Sequence, residues 1–286
     1  MLKTLTNREF RLLWLGQAVS HLGDQFHLIA LPWLVLALTG DPLQLGLVMA
    51  VAGVPRALVM LFGGALADRL SPRLVMIGSD VLRCAIAAGV ALAVATGTVQ
   101  VWMIYALALA FGLISGFFLP AAEATLPRIV DERQLAAGNS LMMIATQVAQ
   151  FVGPALAGSV IALLAHSGAD AGAELSGVVV AFGIYAASFA VGLITLALMR
   201  PVSGFGSDRH PASDIAEGLA FAWRNATIRR LLIVIGLANL ILTGPLFVGL
   251  PTLAAQRLPA ALIAGCLRGG AGLAVELRDS WWVSSR

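Results

Sequence analysis

The chain of 286 residues has few charged side chains: Asp, Glu, Lys and Arg make up 12% of it, whereas an ordinary soluble domain carries about 25%. Hydrophobic residues make up 59%, and the mean hydropathy is +0.90. A soluble protein buries its apolar side chains only if enough polar ones remain to cover it. Too few remain here, so the composition excludes a soluble globular domain and predicts a surface that faces lipid.

Cysteine is also scarce, and the two that occur, Cys84 and Cys266, form no CxxC pair. This excludes a disulfide framework and a zinc site of the usual spacing. The sequence also lacks a nucleophile–base set, a His/Cys cluster and a glycine loop that would hold phosphate. We therefore expect no enzyme activity, no metal and no cofactor.

Long apolar runs are abundant. A hydrocarbon core about 30 Å thick needs about 20 apolar residues per helix. The first run lacks a small-residue cleavage site and is too long for a signal peptide, so we expect it to be retained as a helix. Seven runs qualify as spans: Leu12–Leu38, Leu43–Leu66, Leu74–Ala95, Val101–Leu119, Leu141–Ala165, Val178–Met199 and Leu231–Leu253.

These runs predict an all-α polytopic membrane protein. We expect a six-helix transmembrane bundle over 1–199, a linker over 200–230, a seventh transmembrane helix over 231–257 and an atypical tail over 258–286. Short breaks separate the spans, and the longest within the bundle's cytoplasmic half is predicted from Pro120 to Asn139.

The basic residues of the predicted loops lie on one side. If the N-terminus is cytoplasmic, twelve Lys and Arg residues fall on the cytoplasmic side and none in the opposite loops. This is the asymmetry that orients membrane proteins. It accounts for the net charge of +3 and the isoelectric point near 9.4 without a nucleic-acid partner. We predict a multi-pass protein of the inner (plasma) membrane with a cytoplasmic N-terminus.

The predicted linker begins with a polar, small-residue stretch. Further on, Asp214 and Glu217 have the spacing of a helix-capping box. Apolar residues then recur at helical spacing. The pattern fits a short amphipathic helix on the inner membrane surface, and it fits equally well a soluble helical connector.

Polar side chains within the spans are expensive in hydrocarbon, so they mark sites. Gln17, His21 and Asp24 fall at i, i+4 and i+7 on the first span, and Arg56 lies near the centre of the second. One interpretation is the lining of a water-filled substrate and proton pathway, with Asp24 binding a proton or cation. The alternative is structural: Asp24 and Arg56 form an ion pair, and His21 is a hydrogen-bonded packing residue.

A second charged pair lies on the third span. Asp80 and Arg83 are three residues apart and therefore share a helix face. We favour an ion pair that locks helices together over a role in the pathway.

The inner loop between spans two and three resembles the signature of the major facilitator superfamily, Gly-x-Leu-Ala-Asp-Arg-x-Gly-Arg-Arg, in the same topological position. Ser71 and Pro72 replace the glycine turn. The resemblance implies a conformational role for this motif, in which the Asp68 charge acts on the end of a neighbouring helix. The matching residues are Gly64, Leu66, Ala67, Asp68, Arg69 and Arg73.

Span five is similar to the antiporter motif of that superfamily, Gly-x-x-x-Gly-Pro-x-x-Gly-Gly. Gly153, Pro154 and Gly158 match, whereas Ala149 and Ala157 replace glycine. The alternative is generic packing of small residues. A further pair in span four, at 112 and 116, is interpreted as packing alone.

The first span and its exit (23–42), with the stretch around 120–140, look like the macrolide-efflux and enterobactin-exporter branch. This resemblance implies two six-helix halves that alternate around a central cavity, with efflux of a drug-like or siderophore-like small molecule by proton antiport. One departure is that span four lacks the membrane arginine of many drug–proton antiporters.

The larger departure is length, since the superfamily fold has twelve helices. We expect a truncated or frameshifted copy whose tail does not read like the family. The alternatives are a half-size protein that self-associates or pairs with a separate C-terminal half, and a non-transporting membrane scaffold. The expected partners are therefore membrane lipid, a small-molecule substrate, protons and a second bundle.

Overall fold

The computed structural model describes residues 2–69, 71–165, 171–200 and 223–244, and every regular element within these ranges is an α-helix. Side chains are described for most of them, but not for 61–69 or 162–165. The helices are α1 (Leu2–Leu5), α2 (Arg8–Thr39), α3 (Pro42–Arg69), α4 (Pro72–Ala95), α5 (Val101–Ile129), α6 (Glu132–Ala165), α7 (Ala171–Leu198) and α8 (Ala226–Gly244).

Six of these helices, α2 to α7, are long and apolar enough to cross a membrane. They correspond to the first six predicted spans, and α8 covers the beginning of the seventh. The prediction of an all-α polytopic membrane protein is thus confirmed. The capping box of the linker, the end of the seventh span and the tail lie outside the described residues, so the predicted divisions there stay predictions.

One predicted break is wrong in extent. The stretch from Pro120 to Asn139 is not a loop, because α5 continues to Ile129 and α6 begins at Glu132. Both prolines of this stretch lie inside α5. Hydropathy marks where a helix leaves the hydrocarbon, whereas the helix itself continues for several turns beyond that point.

The ends of α2 show why its boundaries fall where they do. At the start, the Asn7 side chain accepts hydrogen bonds from the backbone N–H groups of Glu9 and Phe10, at 3.0 and 3.4 Å. This is the usual N-cap arrangement. The same side chain donates to the carbonyl of Ile129 at 2.7 Å, so it ties the start of α2 to the end of α5. At the other end, Gly40 has φ 64°, the left-handed conformation that glycine adopts most easily.

The helices pack in a continuous series. α3 packs on α5, α5 on α4, α4 on α7 and α7 on α2, and α6 covers α2 and α7. The main core draws buried residues from all six, with Leu34, Leu45 and Phe182 among the most deeply buried. The functional face is therefore to be sought on α2 and the helices that border it.

Small residues allow α2 and α7 to approach closely. A Cβ on Gly16 would overlap the Thr195 hydroxyl, and a Cβ on Gly23 would overlap the Ser188 hydroxyl. The two glycines and the two hydroxyl residues are each seven apart, in opposite directions, as antiparallel helices require. Close backbone approach of this kind stabilises helix pairs in lipid, where the hydrophobic effect contributes little.

A second close contact joins α3 and α5. A Cβ on Gly112 would overlap the carbonyl oxygen of Ala52, and one on Gly116 would press on Val59 and the backbone of Arg56. The structure agrees with the interpretation of this glycine pair as packing.

Candidate functional site

The polar stripe of α2 faces two environments. Gln17 is 9% exposed and lies inside the bundle. The side chains of His21 and Asp24 are 31% and 43% exposed, and His21 Nδ1 lies 3.7 Å from Asp24 Oδ2. An exposed carboxylate at this depth of a membrane helix is costly unless it faces water or a partner. The structure thus brings His21 and Asp24 together on the open side of the bundle.

Arg56 is exposed on α3. Among the described side chains, the ion-pair partner within 4.0 Å of Asp24 is His21, not Arg56. Arg56 nevertheless contributes to the electrostatic environment of Arg83 and of Tyr185, as Asp24 does. The charges on α2, α3 and α4 therefore form one electrostatic cluster around the middle of α7.

Asp80 and Arg83 are buried, with side chains 2% and 10% exposed, and their charged atoms approach to 3.9 Å. This separation is too long for a hydrogen bond. Asp80 Oδ1 and Arg83 Nε have no hydrogen-bond partner among the described residues. The predicted pair is therefore brought together in space, but it is an ion pair held by charge alone.

Aromatic rings surround the Arg83 guanidinium. Its Cζ lies 4.2 Å from the ring centroid of Phe118 and 5.5 Å from that of Phe189. Cation–π contacts at these distances stabilise a cation that has lost its water. On the other side of the pair, a Cβ on Gly192 would come within 2.9 Å of Asp80 Oδ2 and 3.2 Å of the Ser20 hydroxyl. The glycine thus makes room for the carboxylate between α4, α2 and α7.

Tyr185 is a residue of this cluster that sequence reasoning missed. It is 4% exposed and belongs to the apolar core. A side-chain hydrogen bond joins its hydroxyl to Asp24. The signal that could have found it is the rarity of tyrosine, since the chain contains two.

His27, which flanks the polar stripe, is packed among aromatic rings. It stacks on Tyr185 at 4.9 Å and on Phe111 at 5.5 Å between centroids. Its Nδ1 is buried without a hydrogen-bond partner among the described residues. Beyond it lies an apolar cavity of about 20 Å³, which has room for about one water molecule. The bundle is therefore closely packed on this side of Asp24.

The motif loop is described in part. Gly64, Asp68 and Arg69 lie in α3, but their side chains are outside the described residues. Arg73, in the first turn of α4, donates from Nε to the carbonyl of Leu196 at 2.8 Å and from Nη2 to that of Ala197 at 2.9 Å. It thereby caps the C-terminal turn of α7, where unpaired carbonyls and the helix dipole favour a cation.

The N-terminal turn of α2 holds the same end of α7. Arg8 donates to the carbonyl of Leu198 at 3.2 Å, and Glu9 accepts from the backbone N–H of Arg200 at 2.9 Å. The start of the linker is therefore fixed from two helices.

The antiporter-like motif lies at the contact of α6 with α2. A Cβ on Gly153 would overlap the Gln25 side chain. Ala149, Gly153 and Ala157 are all buried at successive turns, Gly158 is buried beside them, and Pro154 is exposed inside the helix. The geometry shows small-residue packing and leaves any antiport role of the motif as a prediction.

No group of three or more His, Cys, Asp or Glu side chains within the described ranges is placed to hold a metal ion. The site instead combines an exposed carboxylate, a buried ion pair and an aromatic cluster in a membrane bundle. A family model described as "Transmembrane secretion effector" matches residues 1–275. The chain belongs to this family, within the major facilitator superfamily. The match extends into the tail that we expected to be atypical.

Curated relatives agree with this assignment. The multidrug efflux pump Tap of Mycobacterium tuberculosis (strain ATCC 25618 / H37Rv) is 29% identical over 227 residues, which cover 73% of this chain and 49% of the pump. Tap of Mycolicibacterium fortuitum is 27% identical over 233 residues, 78% of this chain and 53% of the pump. The MFS-type transporter YfiS of Bacillus subtilis (strain 168) is 30% identical over 150 residues, 51% of this chain and 34% of that protein. The chain spans about half the length of the pumps it matches.

Proposed function

We propose that this chain is one half of a secondary transporter that exports a small drug-like or siderophore-like molecule by proton antiport. It acts in the plasma membrane with its N-terminus in the cytoplasm. The observation that carries the proposal is Asp24, whose side chain is 43% exposed in a membrane-spanning helix of this family. A carboxylate in that position is tolerable where it faces a water-filled cavity, and substrates and protons cross the membrane through such a cavity.

In this mechanism Asp24 takes up and releases the transported proton. His21, 3.7 Å away, shares that proton's environment. Arg56 adds positive charge to the same cluster and favours release of the proton from Asp24. Gln17, one to two turns deeper, lines the inner part of the pathway. The substrate competes with the proton for the cavity, which is the basis of exchange.

The motif at the cytoplasmic end controls the conformation. Arg73 holds the last turn of α7, and the charges of Asp68 and Arg69 act on the helix ends of the second bundle. Gly64 allows that bundle to approach. Gly153, Pro154 and Gly158 let α6 pack closely and bend at the bundle interface. The partners are thus lipid, protons, a small molecule and a second six-helix unit.

The test joins residues 1–257 to the second half of the Tap pump and measures export of ethidium from everted vesicles that carry a proton gradient. We expect gradient-dependent movement of the dye. Asp24→Asn removes the titratable carboxyl at nearly constant volume and should abolish exchange. Asp24→Glu, which restores a carboxyl group, should retain part of it.

The control is Asp41→Asn, because Asp41 lies in the short link between α2 and α3, away from the cluster. Export that persists unchanged in Asp24→Asn would reject the proton role of Asp24. A correctly inserted fusion that exports no dye, while Tap itself does in the same vesicles, would count against transport by this half. Aggregation of Asp24→Asn in detergent would instead assign Asp24 to the packing of the bundle.

A further inference from the structure

Tyr185 lies in the middle of α7, and its ring is enclosed on three sides. His27 stacks on it at 4.9 Å with planes 22° apart, and Phe111 at 5.5 Å with planes 20° apart. Phe189, one turn further along α7, lies 4.7 Å away. Ring contacts at these distances come from α2, α5 and α7 itself, so they fix the ring from every neighbouring helix.

The hydroxyl group at the end of this fixed ring points at the exposed carboxylate of α2. It forms a side-chain hydrogen bond with Asp24. Asp24 itself is 43% exposed, whereas Tyr185 is 4% exposed. A rigid, buried donor is therefore joined to an exposed acceptor at the edge of the bundle.

The sequence of α2 makes room for this arrangement. Gly23, directly before Asp24, would place a Cβ 3.4 Å from Tyr185 Cδ2 and into the Ser188 side chain. Any larger residue would push α7 away from α2 and separate the hydroxyl from the carboxylate. The Ser188 hydroxyl donates to the Tyr185 carbonyl at 2.7 Å, so it is occupied within α7 and does not compete for Asp24.

We infer that Tyr185 is the positioning residue for Asp24: its hydroxyl donates to the carboxylate and holds it in one orientation toward the open side of the bundle. This inference rests on the proposed function, in which Asp24 carries the proton. The charged and titratable groups around the pair are His21 and His27 on α2, Arg56 on α3, and Asp80 with Arg83 on α4.

The contact also links the proton to the packing of the helices. An ionised carboxylate accepts a stronger hydrogen bond than a neutral carboxyl group does. When Asp24 takes up a proton, its bond to Tyr185 weakens, and with it one of the polar contacts between α2 and α7. Protonation at the cavity is thereby transmitted to a helix that has no exposed titratable group in this cluster.

Infrared difference spectroscopy of the purified 286-residue chain in lipid tests this directly. The carbonyl stretch of a protonated carboxyl group moves to higher wavenumber when a hydrogen bond to it is lost. We expect Tyr185→Phe, which removes one oxygen atom and keeps the ring, to shift the Asp24 band upward. Asp24→Asn identifies that band by abolishing it.

The chain supplies a matched control. Its other tyrosine, Tyr105, donates to Gln44 Oε1 at 2.6 Å, away from the cluster, so Tyr105→Phe should leave the Asp24 band unchanged. With ring-labelled tyrosine, the phenol C–O stretch reports the same contact from the other side. Asp24→Asn should shift the Tyr185 band and not the Tyr105 band.

An Asp24 band that is the same in Tyr185→Phe and in the unsubstituted chain would overturn the inference, as would a Tyr185 band that ignores Asp24→Asn. A chain whose Asp24 shows no carboxyl band at any pH would reject the proton role of Asp24. In that case the Tyr185 band in Asp24→Asn still decides whether the contact exists.

Discussion

Gly23 of α2 faces Ser188 of α7 so closely that a single methyl group on the glycine would overlap the serine side chain. This contact lies one residue from the candidate proton site and sets the distance between the two helices that hold it. A change in the packing here therefore acts on stability and on the site together.

We predict that Gly23→Ala destabilises the bundle by about 1–3 kcal/mol, the usual cost of overfilling a packed contact. The measurement is unfolding in mixed micelles followed by circular dichroism. Gly89→Ala is the control, because a Cβ at Gly89 in α4 meets nothing within 4 Å. Equal unfolding curves for the two variants would contradict the predicted seam. The double variant Gly23→Ala with Ser188→Ala should recover part of the loss.

The buried pair of α4 gives a second prediction. Asp80→Ala alone should destabilise the bundle by about 3–5 kcal/mol, because it leaves the Arg83 charge buried without its partner. The double substitution Asp80→Ala with Arg83→Met should be closer to the parent, since neither charge then remains. Unfolding of the two single variants and the double variant measures the interaction. Additive losses would show that the 3.9 Å pair contributes nothing as a pair.

The fold could be predicted largely because lipid imposes a simple rule: each span must be a helix of sufficient apolar length. The first six spans followed from that rule, while the cytoplasmic ends of α5 and α6 did not, since helices continue past the hydrocarbon boundary. The site was predicted only in part. Helical spacing placed His21 beside Asp24 and Asp80 beside Arg83, but spacing says nothing of contacts between helices.

Tyr185 illustrates that limit. Its neighbours in sequence are apolar and small, so nothing local distinguishes it from a core residue. Its role depends on Asp24, which is more than 150 residues away in the sequence and reaches it only after α2 and α7 have packed. The alternative partner considered for Asp24, Arg56, lies on the adjacent span and was the nearer guess in sequence alone.

The capping of α7 by Arg73 leads to a third prediction. Arg73→Gln should loosen the last turn of α7, since a cation that binds helix-end carbonyls is worth about 1–2 kcal/mol. We expect faster hydrogen exchange of the backbone amides from Leu196 to Arg200. Arg133→Gln is the control, because Arg133 is exposed at the start of α6 on the same predicted side. Exchange that is equally slow in both variants would show that Arg73 does not hold this turn.

A fourth prediction concerns topology. Thr98→Cys, in the turn after α4, should react with a membrane-impermeant maleimide from the outside of intact cells. Asp131→Cys, between α5 and α6, should react only after the cells are opened. Both positions are exposed, so accessibility to the reagent depends on the side of the membrane. The variants are made with Cys84 and Cys266 replaced by serine. Labelling of both positions from the same side would mean that the predicted orientation or span count is wrong.

The last prediction is that the 286-residue chain alone does not transport. Alternating access needs two bundles that rock about a central site, and the part of the chain that the structure describes contains one six-span bundle. Its exposed surfaces carry Asp24 and a band of α6 whose Phe151 is 87% exposed. These features suit a second bundle better than lipid.

Vesicles with a proton gradient and the purified chain should therefore take up ethidium no faster than empty vesicles. Cross-linking in the same vesicles measures self-association. If gradient-dependent transport appears, the chain works as a homodimer, and a Phe151→Glu variant should then abolish both transport and the cross-link. If the chain cross-links to itself without transport, a scaffold built from the same half becomes the better account, because one exposed face is enough for assembly but two different bundles are needed to alternate.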